Sequence, residues 1–96
     1  MKIISGARGS GKTTELVRMS AETGAYIVTR SHDSARQIVD IANHLGMHIH
    51  FPLTWGEFFS HAYDARIQLL FDDIDVFLQS LSSAPILAAT FSIEED

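Results

Sequence analysis

A chain of 96 residues with 46% apolar and 9% aromatic side chains can bury roughly two-thirds of its unfolded surface, which predicts one folded domain and excludes a disordered segment. The absence of cysteine excludes disulfides and thiolate metal sites. Seven Lys/Arg against twelve Asp/Glu leave a net charge of −5, which disfavours a dedicated nucleic-acid binder, and no apolar run is long enough to span a bilayer, so a soluble cytoplasmic protein without a leader is expected.

In chain order, Lys2–Ser5 (KIIS) reads as a short strand running into a glycine-rich loop. Residues Lys12–Thr23 favour a helix, with Leu16, Val17 and Met19 available to a core and Gly24 as its stop. Ala25–Arg30 (AYIVTR) is aromatic and β-branched, hence a strand. Ser31 or Asp33 can cap a second helix, in which Ala35, Ile38, Val39, Ala42 and Leu45 recur at helical steps before Gly46. "HIHF" is a further short strand candidate halted at Pro52. Thr54 and Glu57 form a capping-box pattern opening a helix through roughly His61. Arg66–Asp73 (RIQLLFDD) predicts a buried strand ending in acids, followed by a short helix over Val76–Leu81 and a last strand, ILAATF, after Pro85. Strands alternating with helices predict an α/β fold: a three-layer sandwich with a small, about four-stranded, mainly parallel sheet. Ligands of such sheets bind at the carboxyl ends of the strands.

The loop Gly6-x-x-x-x-Gly11-Lys12-Thr13 has the Walker A spacing. Its glycines let backbone N–H groups approach phosphate oxygens, so Gly6, Ala7, Arg8, Gly9, Ser10, Gly11, Lys12, Thr13 and Thr14 are the expected nucleotide-binding residues. Lys12 brings a positive charge to the β- and γ-phosphates, and Thr13 offers a hydroxyl to Mg²⁺ where the helix begins. Arg8 can reach a phosphate or point to solvent, and the sequence does not choose. The apolar run ending at Asp72 and Asp73 has the Walker B pattern: Asp72 for the Mg²⁺ shell opposite Thr13, Asp73 to orient or deprotonate a nucleophile. Asp75 reads as a solvated helix cap. Thr90, ending the last strand between the loop strand and the acidic strand, is a candidate γ-phosphate sensor.

At these residues the chain resembles P-loop NTPases of the branch that includes RecA-like, AAA+ and helicase domains, over about residues 2–92. GSGKT (Gly9–Thr13), VTRSHDSARQI and LTWGEFF (Leu53–Phe59) resemble motifs of the first motor domain of superfamily-one helicases. That resemblance implies a single-stranded-DNA edge along Thr29, Arg30, Ser31, Arg36, Thr54 and Trp55, with Trp55 stacking a base. No counterpart of the second helicase motor domain lies in the 96 residues, so translocation is not expected of them alone. SGKTTEL (Ser10–Leu16) and DDIDVF (Asp72–Phe77) are also similar to bacterial-type thymidine kinases. This chain lacks the zinc cysteines of that family and has about half its length.

The expected cofactors are Mg²⁺ and ATP, with ATP favoured over GTP, and the expected chemistry is slow hydrolysis. No arginine finger is evident in cis, so a homo-oligomer or protein partner is expected to supply one, Arg66 being a candidate donor in trans. A nucleotide-switched protein-binding module, a fold kept only as an interaction scaffold, and a nucleoside-kinase-like phosphotransferase are the alternatives. Arg30, Arg36 and Trp55 are candidate DNA or partner contacts, each with a plainer role as a solvated charge or, for Trp55, a packing anchor. His44, His48 and His50 lie close together without an accompanying acid at ligand spacing, and no metal site is assigned to them.

Overall fold

The computed structural model describes residues 3–6, 11–60 and 66–90. The order of elements is α1 (Lys12–Thr23), β1 (Tyr26–Thr29), α2 (His32–His44), β2 (Leu53–Thr54), α3 (Trp55–Ser60), β3 (Leu69–Phe71) and α4 (Ile74–Ser80). The strands form one parallel sheet in the order β2-β1-β3, with Val28 opposite Leu53, Thr29 opposite Thr54, and Ile27 opposite Leu70.

Local chemistry accounts for the element boundaries. Gly24, at φ 77°, stops α1 and its N–H donates to the Ser20 carbonyl at 2.9 Å; an L side chain rarely adopts that backbone angle. Ser31 rather than Asp33 caps α2, its hydroxyl accepting from the Ser34 N–H at 3.2 Å. The capping box opens α3 in both directions: Glu57 N–H donates to the Thr54 hydroxyl at 3.2 Å, and Thr54 N–H donates to the Glu57 carboxylate at 3.0 Å.

Alternation along the strands assigns the two faces of the sheet. Ile27 and its register partner Leu70 pack with Leu16 and Val17 of α1 and Ile38 and Ala42 of α2. One residue on, Val28 is fully buried, and its partner Phe71 meets Phe58 of α3 and Phe77 of α4 at 5.2 Å between ring centroids. Helices α1 and α2 thus cover one face, while an aromatic cluster from α3 and α4 covers the other.

Among the described residues two expected strands do not appear, and one is displaced. Residues 3–6 and 85–90 have no strand structure, and 86–90 are exposed, so the described sheet has three strands where about four were expected; Lys2 and Phe91, at the outer ends of those two segments, lie outside the described residues. Within "HIHF", residues 48–51 are irregular, and His50 instead stacks on Tyr26 at 4.2 Å; the strand begins after Pro52, whose ring nitrogen has no proton for a ladder bond. Strand β3 is also shorter than the apolar run containing it: Ile67 and Gln68 are exposed and lie before it, although the Gln68 carbonyl accepts from the Tyr26 N–H at 3.0 Å.

Candidate functional site

The carboxyl ends of the strands carry the polar groups, and α1 begins beside them. Helix α1 starts from Gly11 at φ 86°, an N-cap residue with no side chain of its own to cap the first turn. Such a helix N-terminus presents backbone N–H groups and a partial positive charge. Lys12 lies at this end and its Nζ donates to the Gly6 carbonyl. Ala7, Arg8, Gly9 and Ser10 lie outside the described residues.

Thr13 is the next residue along α1. Its hydroxyl stands 3.5 Å from Oδ1 of Asp72, at the outer limit of a hydrogen bond, although 59 positions separate them in sequence. Asp72 emerges from β3 and remains tied to the sheet through its N–H, which donates to the Val28 carbonyl at 3.0 Å. Burial pushes the Asp72 carboxyl above its ordinary value of 3.8, and the charge of Asp73 pushes the same way; the Thr13 hydroxyl and the Lys12 charge partly oppose them. A half-buried carboxylate disfavoured in its ionised form is a group that a cation would stabilise.

Asp73 is exposed and holds a left-handed backbone, φ 54° and ψ 54°, at the start of α4; it is the one non-glycine residue with positive φ among the described residues. Left-handed backbone at an acid beside a cavity is a local cost retained by the surrounding structure. Asp75 is exposed in the first turn of α4. A cavity of about 660 Å³ opens beside these groups, lined by the polar Gly6, Lys12, Asp72 and Asp73 and by the apolar Ile4, Leu16, Met19 and Leu70. Lys12 is the one cation among the described residues that line it.

The remaining expected residues are dispersed. Thr14 lines a separate shallow hollow with Asp40, Ile41, His44 and Leu45. Arg30 is exposed beyond β1, and Arg36 is exposed and 3.7 Å from Asp33 one helical turn back. Trp55 is half-buried and packs edge-on against Phe77 at 5.3 Å, which is the anchoring role; its indole N–H is buried without a hydrogen-bond partner among the described residues. Ser31 and Thr54 use their hydroxyls as helix caps, and Thr29 is buried, so the expected DNA edge is largely committed to internal contacts. Thr90 lies in exposed, irregular backbone outside the sheet rather than in a strand beside Asp72. Arg66 is exposed at the approach to β3.

Sequence reasoning missed the Lys12–Gly6 contact and the apolar depth of the cavity. The first joins residues six positions apart with no pattern that marks the pairing; the signal for the second lay in the apolar residues Ile3, Ile4 and Met19, which line the cavity. Among the described residues no group of three or more His, Asp or Glu side chains is clustered to hold a metal, and no helix is long and apolar enough to cross a membrane. Comparison with protein-family models, with curated proteins and with solved structures found no match.

Proposed function

We propose that the chain is a minimal P-loop nucleotide-binding domain that takes Mg·ATP at the Lys12–Thr13–Asp72 corner. The observation that carries this reading is the approach of Thr13 to Asp72 directly behind a glycine-capped, lysine-bearing helix start. Gly6, Gly11 and the backbone of the first turn of α1 would hold the phosphates, with Lys12 leaving the Gly6 carbonyl to meet the β- and γ-oxygens. Thr13 and Asp72 offer the pair of oxygens that a Mg²⁺ ion between them would use, directly or through water. Bound Mg²⁺ would supply charge neutralisation at the β- and γ-phosphates.

Hydrolysis at this corner would have a water oxygen attack the γ-phosphorus and the bond to the β–γ bridging oxygen break, giving ADP and phosphate. Asp73, exposed at the rim, is the candidate acceptor for the proton of that water. Lys12 is the one cation among the described residues that line the cavity, and Arg8 lies outside them. A missing arginine finger is worth on the order of 10³–10⁵ in rate. The proposal is therefore slow turnover, accelerated when a second copy or another protein supplies an arginine, with Arg66 as candidate donor in trans.

The test is Mg²⁺-dependent binding of ATP by wild type, Thr13→Val and Asp72→Asn. Both substitutions are expected to abolish the gain from Mg²⁺ while leaving weak metal-free binding through Lys12. Equal Mg²⁺ dependence in all three proteins contradicts the assignment. Turnover that rises with protein concentration and falls in Arg66→Ala separates an oligomer-assisted ATPase from a switch that only binds.

A further inference from the structure

We propose that the cavity beside β3 takes a second substrate, an uncharged alcohol with an apolar body, whose hydroxyl rather than water receives the γ-phosphoryl group. This acceptor rests on the nucleotide reading above, which supplies the phosphoryl group. Size is the first indication. Hydrolysis needs room for one water molecule, about 30 Å³ of liquid volume. The cavity holds about 660 Å³. That falls within the roughly 300–1,000 Å³ of sites that take small organic molecules.

The lining narrows the class. Eight of the described residues around the cavity are apolar, Ile4, Leu16, Met19, Leu70 and Ile74 among them, against Ser5 and Gln68 as neutral side chains that can hydrogen-bond. A sugar or another polyol would leave hydroxyls unpaired in such surroundings, which burial penalises. Asp72, Asp73 and Asp75 line the same space, and Lys12, the one cation among the described lining residues, is taken up by the nucleotide phosphates. A phosphorylated or carboxylate acceptor would therefore meet like charge. A single hydroxyl on a hydrocarbon body avoids both penalties.

Placement links the cavity to the chemistry. Lys12 and Asp72 belong to the phosphate corner and also line the cavity, so the two spaces adjoin. Consecutive acids take separate tasks there. Asp72 approaches the Thr13 hydroxyl at 3.5 Å, where Mg²⁺ would be held. Asp73 is exposed and lines the cavity. In the transfer, the alcohol oxygen bonds to the γ-phosphorus and the bond from that phosphorus to the β–γ bridging oxygen breaks. The hydroxyl proton passes to the Asp73 carboxylate, and the products are ADP and a phosphate monoester. Apolar contacts along the body hold the hydroxyl in place, an advantage that a freely exchanging water lacks.

The probes are ethanol, n-butanol, n-hexanol and glycerol, each incubated with the full chain and Mg·ATP. Phosphorus NMR separates phosphate monoester from inorganic phosphate. With n-hexanol the monoester is expected to exceed inorganic phosphate, and KM is expected to fall about fourfold for each added methylene. Glycerol is expected to give no ester. Asp73→Asn, in which asparagine tolerates the left-handed backbone of that position, should lower the transfer rate at least about 100-fold. Met19→Gln, similar in length but polar, should raise KM for n-hexanol by about tenfold or more. Mg·ATP affinity is measured by calorimetry in the same samples. Wild type that binds Mg·ATP and forms no monoester from any alcohol overturns the acceptor and leaves the nucleotide site standing. Wild type that binds no Mg·ATP overturns both. A KM that does not change with chain length overturns the cavity as the acceptor's site.

Discussion

Strand β1 is bonded on both edges and buries Ile27, Val28 and Thr29 to 2% exposure or less, whereas its parallel neighbour β3 has one paired strand and all three residues half-buried. The two have similar apolar sequences, so composition does not make the difference; position in the sheet does. The central strand carries the core, and the outer one carries the acid pair. An acid with affinity for a cation has to stop short of full burial, because a buried unpaired carboxylate costs several kcal/mol or neutralises itself. Asp72 holds that middle ground: buried enough to be raised, open enough to meet a ligand.

The largest effect expected from this contrast is in the core. Ile27→Ala should cost about 2–5 kcal/mol in denaturant unfolding. Leu70→Ala, on the same face but half-buried, should cost roughly half as much, since less area leaves water. Equal costs would erase the distinction between the strands. Next, Thr54→Ala should remove half of the capping box and lower stability by about 0.5–2 kcal/mol, seen in the same unfolding curves.

Asp72 gives an effect of opposite sign. Its folded-state value is raised, so its protonated form is favoured by folding and that favour is lost as pH rises through the raised value. Asp72→Asn should therefore match wild type below pH 3.8, and become the more stable protein as pH approaches 7 without Mg²⁺. A thermal series from pH 3 to 7 reads this directly; a variant less stable than wild type at pH 7 would reverse the assignment. The smallest effect belongs to Arg36→Ala, whose exposed contact with Asp33 should change stability by no more than about 0.5 kcal/mol.

Much of this was legible in sequence wherever the signal was local. Gly24 stopping α1, Ser31 capping α2 and the Thr54/Glu57 box each depend on residues within four positions, and the structure shows all three. Asp72 meeting Thr13 was legible because two motifs share one chemistry, although the contact spans 59 positions. The last strand was not legible in the same way. Residues 86–90 have good strand propensity, but a strand exists only when an edge pairs with it, and propensity does not record whether the edge is occupied. Trp55 reads in sequence as either a packing anchor or a stacking platform, and its packing partner, Phe77 of α4, lies more than twenty positions away.

Under the proposed function, nucleotide binding depends most directly on Lys12 at the start of α1. Calorimetric titration of Mg·ATP into wild type and Lys12→Ala, both checked for folding by circular dichroism, tests it. Micromolar binding by wild type that weakens at least about 100-fold in the variant, a loss of roughly 2.7 kcal/mol, is the predicted result. Equal affinity in the two proteins, or no binding by folded wild type, would contradict it.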